Sequence, residues 1–132
     1  MAFENDLRAL LLADSTIGGL VGTRVFQDVI PEGSMFPCLV FKAIVGNSEE
    51  SHAGSSNLEH PHIQFDAYAT TSADRWTITR ALLAIFQPAA FRQTVGATKF
   101  DAAICMNSGA GSFEADTRLY RAMSEFEIWY HV

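Results

Sequence analysis

IPEGSMFPCLVFKAIVGNSEESHAGSSNLEHPHIQFDAYATT, residues 30–71, is the stretch on which the fold turns. It opens on a turn built from Pro31, Gly33 and Pro37. The run 38–45 is apolar, β-branched and aromatic, as a strand requires. Its near-unbroken hydrophobicity calls for burial on both faces, or for a core on one and an interface on the other, with Lys42 turned to a rim. Residues 46–61 hold almost nothing that could enter a core: Asn47, Ser48, Glu49, Glu50, Ser51, Gly54, Ser55, Ser56 and Asn57. A long polar loop is expected there, an arm that orders on a partner and carries Glu49, Glu50, His52 and Asn57. Alternation returns at 62–68, with Ile63, Phe65 and Ala67 on one side and an exposed stripe of Gln64, Asp66 and Tyr68 on the other. Two strands around a polar loop make an extended hairpin.

Outward from this hairpin, Phe3, Leu7, Leu10 and Leu11 fall at the spacing of one helix face, which predicts a helix over 3–13. Glu4 and Arg8 stand four apart and can pair on it. Asp14, Ser15 and Thr16 offer a turn or a cap. Gly18, Gly19 and Gly22 break the pattern, and 25–29 reads as a short edge strand. On the other side, Thr71 with Asp74 three residues on approximates a capping box. Ile78, Leu82, Ile85 and Phe86 then repeat the helical template, widened by Trp76 and Leu83, until Pro88 ends the helix.

Residues 91–98 read as a connector. Phe100, Ala102, Ile104 and Met106 alternate as one strand face. Residues 107–117, NSGAGSFEADT, read as a second flexible, acidic loop. The run 119–132 is the longest strand. Tyr120, Ala122, Ser124, Phe126, Ile128, Tyr130 and Val132 take one side, and Arg121, Met123, Glu125, Glu127, Trp129 and His131 the other. Straight, it would span ~45 Å, so a bend or bulge is expected. The fold class that follows is α+β in the order α-β-β-α-β-β: a single domain with a mainly antiparallel four-stranded sheet and two helices packed on one face. The opposite face, with Gln64, Asp66, Tyr68, Glu125, Glu127 and Trp129, mixes charge and aromatics in the manner of an interface.

A formal net charge of −6 argues against general nucleic-acid binding, which needs a basic surface. Cys38 and Cys105 belong to no C-x-x-C pair and read as two buried thiols, with a strand-to-strand disulfide left open. The acidic N-terminus, MAFENDLRALLLAD, lacks the pattern of a signal peptide or membrane span, so the chain is expected to remain in the cytosol or in something assembled there.

Chemistry-bearing patterns are weak. His60 and His62, two apart around Pro61 on a strand, point the same way, and with His52, Glu49, Glu50 and Glu59 nearby they are the best metal candidate. A mobile loop would supply the other ligands, so no metal, cofactor or catalytic residue is assigned. Glu125 and Glu127 with Arg121 could serve as paired carboxylates, but alternating charge on a sheet reads first as a surface. Ser108, Gly109, Ala110, Gly111 and Ser112 suggest phosphate-loop spacing without the Lys-Ser/Thr that follows one. No enzyme is read from this sequence; a small metal-dependent enzyme using His60 and His62 is the minor alternative.

The turn residues Pro31, Gly33 and Pro37, then Gly54, and the run Gln64-Phe65-Asp66-Ala67-Tyr68-Ala69 together resemble the tail-completion, or tail terminator, proteins of long-tailed bacteriophages. The resemblance takes in the helices on either side and fades beyond Phe86. It implies a small α/β subunit that forms a ring, usually of six, caps the tail tube and ends its growth, and offers a surface for head-tail joining. The partners implied are further copies of the chain, the tail tube protein and a head-completion or neck protein, with DNA only as passing cargo and no membrane. The location implied is the head-proximal end of the tail, in a virion assembled in the bacterial cytoplasm. Under this reading Gln64, Asp66, Tyr68, Glu125, Glu127, Trp129 and the arm residues form the subunit or tube interface, and Glu114 and Asp116 face the lumen. Another neck or tail adaptor of the same fold is the nearest alternative.

Overall fold

The computed structural model describes residues 2–45, 48–51, 54–87 and 91–132. Within them lie helices α1 (Ala2–Leu12), α2 (Ser15–Val21) and α3 (Ser72–Phe86). The strands are β1 (Val25–Gln27), β2 (Cys38–Val45), β3 (Ser48–Ser51), β4 (Gly54–Glu59), β5 (His62–Ala69), β6 (Gln93–Val95), β7 (Thr98–Glu114) and β8 (Leu119–His131). All eight join one sheet, which curls as a half-barrel. Strand β8 is its axis: β5 and then β4 pair along one edge, and β7 along the other.

The expected four-stranded, mainly antiparallel sheet with two helices is therefore corrected. The sheet is mixed, because β1 runs parallel to β2. The third helix is α2, which passes through Gly18 and Gly19; Asp14 caps it, accepting from the backbone N–H of Thr16 and Ile17 at 3.0 Å. One well-placed cap, together with burial of Ile17 and Val21, outweighs the helix cost of two glycines, ~1 kcal/mol each. Most of the expected polar loop 46–61 is strand: β3 and β4 continue the β2–β5 hairpin past Pro61. The second expected loop is also strand, since β7 runs to Glu114 opposite β8. Strand β6, in the expected connector, is three residues paired to the start of β7. Pro88 lies outside the described residues; the last helical residue is Phe86.

The run 119–132, expected to be the longest strand, forms β8 of 13 residues and is outrun by its partner β7 of 17, and the bend expected of it appears in that partner. Strand β7 takes one extra residue against β8 at each of three register shifts, at Asp101, Met106 and Gly109. The shift at Asp101 reverses the side-chain phase. Phe100 is in the core, but Ala103 and Cys105 follow it inward, while Ile104 and Met106 point out. The single face expected for Phe100, Ala102, Ile104 and Met106 is thereby split.

The helices share one face of the sheet. Leu7, Leu10 and Leu11 of α1, Ile17 and Val21 of α2, and Ile78, Leu82 and Phe86 of α3 pack on Leu39, Phe41, Ile63, Phe65, Phe126 and Ile128. At the centre, Phe86 lies 5.6 Å from Phe65 and 5.1 Å from Phe126, ring centre to ring centre. Contacts of this kind contribute about 0.5–1.5 kcal/mol each beyond burial. At the sheet's end Phe3 stacks on Tyr130 at 3.9 Å, and the Tyr130 hydroxyl donates to Glu59 at 2.6 Å. Burial first, and then the Glu59 carboxylate, push the Tyr130 phenol well above its ordinary value. Arg8 bonds the carbonyls of Val25 and Thr23, at 2.9 and 2.8 Å, in place of the expected Glu4, and so ties α1 to the outer edge of β1. Both cysteines are free thiols, Cys38 buried and Cys105 half-buried.

Candidate interaction face

The face of the sheet turned away from the helices is built by register. Strand β5 sets His62, Gln64, Asp66 and Tyr68 directly opposite Glu127, Glu125, Met123 and Arg121 of β8. Strand β2 adds Lys42 beside Gln64 and Val40 beside Asp66. Strand β7 adds Ala102 beside Trp129 and Ile104 beside Glu127. Gln64, Asp66, Tyr68, Glu125, Glu127 and Trp129 thus come together on one surface.

That surface is not the open stripe the alternation suggested. Asp66 is 4% exposed and Gln64 9%. A carboxylate buried so deeply needs partners. Arg121 donates to Asp66 Oδ1 from Nε at 3.0 Å and from Nη2 at 2.8 Å, and Gln64 donates to Oδ2 at 2.9 Å. Burial works to lower the Arg121 pKa, but the hydrogen bond and charge of Asp66 outweigh it and leave the guanidinium raised. The same guanidinium lies 5.8 Å over the ring of Tyr68, whose phenol is raised mainly by burial. Arg121 is the residue the sequence reading placed nearest Glu125 and Glu127; its partner is instead Asp66, on the neighbouring strand.

One turn of the ladder away is a second group. His60 Nδ1 is 2.9 Å and His62 Nε2 3.3 Å from the same oxygen of Glu127, and His62 Nδ1 is 3.6 Å from Glu125. His60 stacks on Trp129 at 4.0 Å, and Trp129 Nε1–H donates to Glu127 at 3.3 Å. The His60 hydrogen bond holds the Glu127 carboxyl below the usual range against the opposing effect of burial, with Trp129 and the charges of His60 and His62 adding to it. The two histidines do converge, but on a carboxylate. Glu59, read beside them as a ligand, belongs to the other face with Tyr130. Among the described residues no three His, Cys, Asp or Glu side chains are arranged to hold a metal ion. Glu125 and Glu127 both face imidazoles, so the arrangement is a surface network of side chains in mutual contact and not a spaced pair of carboxylates.

The remaining candidates sit at the hairpin ends. Glu49 and Glu50 fall on β3 and Asn57 on β4 by their backbone, while His52 lies outside the described residues. Glu114 ends β7 and Asp116 is in the tight turn to β8, where Thr117 donates to Glu114 at 3.3 Å. Sequence reading missed the exposed apolar side chains of β7, Ile104, Met106 and Phe113. The signal that could have found them is a long strand-forming run without charge; the bulges that turn them outward leave no pattern in the sequence.

Compared with known proteins, residues 5–131 match the family model described as tail completion protein gp17. A chain from the solved virion of a native gene transfer agent particle is similar in fold, with a TM-score of 0.69 at 16% sequence identity, over 99% of this chain and 98% of that one. No curated protein sequence matches the chain.

Proposed function

Because this chain belongs to the tail completion protein gp17 family, we propose that it is the structural virion subunit that caps the phage tail tube, ends its growth and presents the surface to which the head is joined. The observation that carries the proposal is the match of the family model to residues 5–131, nearly the whole chain. The physical form agrees with such a role. One sheet face is committed to the helices, and the other offers a surface with aromatic rings, imidazoles and the Arg121–Asp66 ion pair, a mix found at protein interfaces. In this reading the subunits stand as a ring, of six copies, at the head-proximal end of the tail. The tube protein and a neck protein lie on either side, and the particle is assembled in the bacterial cytoplasm. Gln64, Asp66, Tyr68, Glu125, Glu127 and Trp129 work as an interface, with Glu49, Glu50, His52 and Asn57 of the arm. Glu114 and Asp116 line the lumen, where carboxylates let DNA pass with little adhesion.

The test is a tail-assembly reaction from purified tube protein, with and without this chain, followed by addition of filled heads. The proposal expects tubes of defined length that bear density at one end and acquire heads there. Tubes that lengthen equally with and without the protein would refute it. Capped tubes that never accept heads would restrict the role to termination.

A further inference from the structure

The outer edge of β7 is exposed in a way its sequence does not protect. With β8 along its inner edge, β7 is covered on its outer edge by β6 at residues 98–100, and among the described residues no strand pairs with that outer edge from Asp101 to Glu114. Residues 102–113, AAICMNSGAGSF, contain no charged side chain and no proline. Ile104, Met106 and Phe113 on this stretch are 53%, 50% and 46% exposed. Proteins that leave a long sheet edge open guard it with lysine, proline or a covering element, because its unpaired N–H and C=O groups template another strand. Here the bulges kink the edge and Arg75 and Trp76 of α3 lie against its far part at Gly109, Gly111 and Ser112, but residues 102–108 carry no lysine, proline or other charge of their own. What fits such an edge is extended backbone.

The same chain carries a strand suited to it. The other end of the sheet is closed at β1, whose Val25 carbonyl is taken by Arg8. Among the described residues, strand β3, on the far side of β8 from β7, pairs with β4 alone, and β4 meets β8 at the pair Glu59–Tyr130. This arm carries Glu49, Glu50 and Glu59 and no basic residue other than His52. The base of the β7 edge carries the exposed Arg92 and Lys99, which line one hollow with Asp101 and His131, themselves paired at 2.7 Å. An acidic open strand and an uncharged open edge with cations at its base are complementary. They lie on opposite sides of β8, where Glu59 and Phe100 both pair with Tyr130, so their pairing is between unlike surfaces, head-to-tail, which closes a ring where the rotation between copies permits.

We propose that the outer edge of β7 receives the β3–β4 arm of a second copy of this chain as an added strand. The proposal deepens the ring reading by naming its subunit contact, and it rests on that reading for the second copy's place in the particle. Two single variants test it, Ser108→Cys on the edge and Glu50→Cys on the arm. They are mixed under mild oxidation, and the linked residues are mapped by mass spectrometry, with the unsubstituted chain as control for Cys38 and Cys105. The mixture should give a disulfide joining the two variants. Adding Ile104→Lys with Met106→Lys, or separately Asn107→Lys, should lower its yield by about tenfold or more, because an edge lysine resists strand addition. These side chains are exposed, so melting curves should match the parent chain.

Linkage of Ser108→Cys only to itself, no linkage at all, or a mixed yield unmoved by the lysines would overturn the proposal. So would a lysine variant that ends tube growth as well as the parent does, and that outcome leaves the tail-completion reading standing. A parent chain that fails to end tube growth would refute that reading, while the cross-link in solution still decides the edge.

Discussion

Asp66 shows what one buried charge demands of its neighbours. Its carboxylate is almost wholly enclosed, and it receives two bonds from Arg121 and one from Gln64. Removing only the cation leaves an uncompensated buried charge. Arg121→Met should therefore cost about 3 kcal/mol, measured by urea unfolding. Replacing both partners with apolar residues, Asp66→Leu with Arg121→Met, should recover most of that loss, because the desolvation cost leaves with the charges. A single-variant cost below ~1 kcal/mol would mean that the pair behaves as an exposed surface bridge. Alternation alone placed Asp66 on the correct face. Its burial was not legible, because it depends on an arginine 55 residues away. Local period reports the direction of a side chain and is silent on what closes over it.

At the scale of elements, β7 explains why glycine and serine misled. The run from Asn107 reads as a flexible loop because its residues lack apolar alternation. Its glycines instead make room for a helix. A Cβ at Gly109 would meet the Trp76 ring at 3.0 Å, and one at Gly111 would meet it at 2.9 Å. Gly109 also has a φ of +85°, a conformation costly to other residues and suited to the bulge it forms. Arg75 holds the same junction, donating to the carbonyls of Ser112 and Arg121 at 2.8 and 3.1 Å and lying 4.8 Å over Trp76. Gly111→Ala should then destabilise the protein by about 1–3 kcal/mol through overpacking, and Gly109→Ala by at least as much, since it adds backbone strain. Gly19→Ala is the control: nothing lies within 4 Å of its Cβ position, and alanine favours helix by ~1 kcal/mol. Thermal melts of the three variants check the ranking. If Gly111→Ala melts with the parent, Trp76 does not clamp β7. The elements that were legible are α1, α3, β5 and β8, whose hydrophobic period picks out the core-facing side, and β2, whose apolar run is buried on both faces over Cys38–Phe41. Helix α2, with two glycines, and β3 and β4, made of small polar residues, carry no such period. Their structure comes from a cap and from pairing with a neighbouring strand.

For the molecule as a whole, the decisive contrast is between a body with a continuous aromatic core and an arm that, among the described residues, joins it through Glu59, paired to Tyr130 on β8. Every ring of the Phe65, Phe86 and Phe126 cluster lies in β5, α3 and β8, and none in β3 or β4. Deleting residues 48–57 spares Glu59, its bond to Tyr130 and the whole of β5. Closing the chain with a shorter loop between β2 and β5 costs little, since closure entropy changes slowly with length, by ~0.6 kcal/mol per doubling. The shortened chain should therefore keep the parent's unfolding free energy to within about 1 kcal/mol. A structural element that adds so little to its own subunit is retained for what it does elsewhere, so the same deletion should abolish termination of tube growth. Chemical unfolding and the tail-assembly reaction separate the two halves of the prediction. A deleted chain that no longer folds would show that β3 and β4 belong to the body. A deleted chain that folds and still caps tubes at full efficiency would show that the arm has no part in joining subunits or tube, and the interface would then have to lie wholly on the Asp66–Arg121 and Glu127 face.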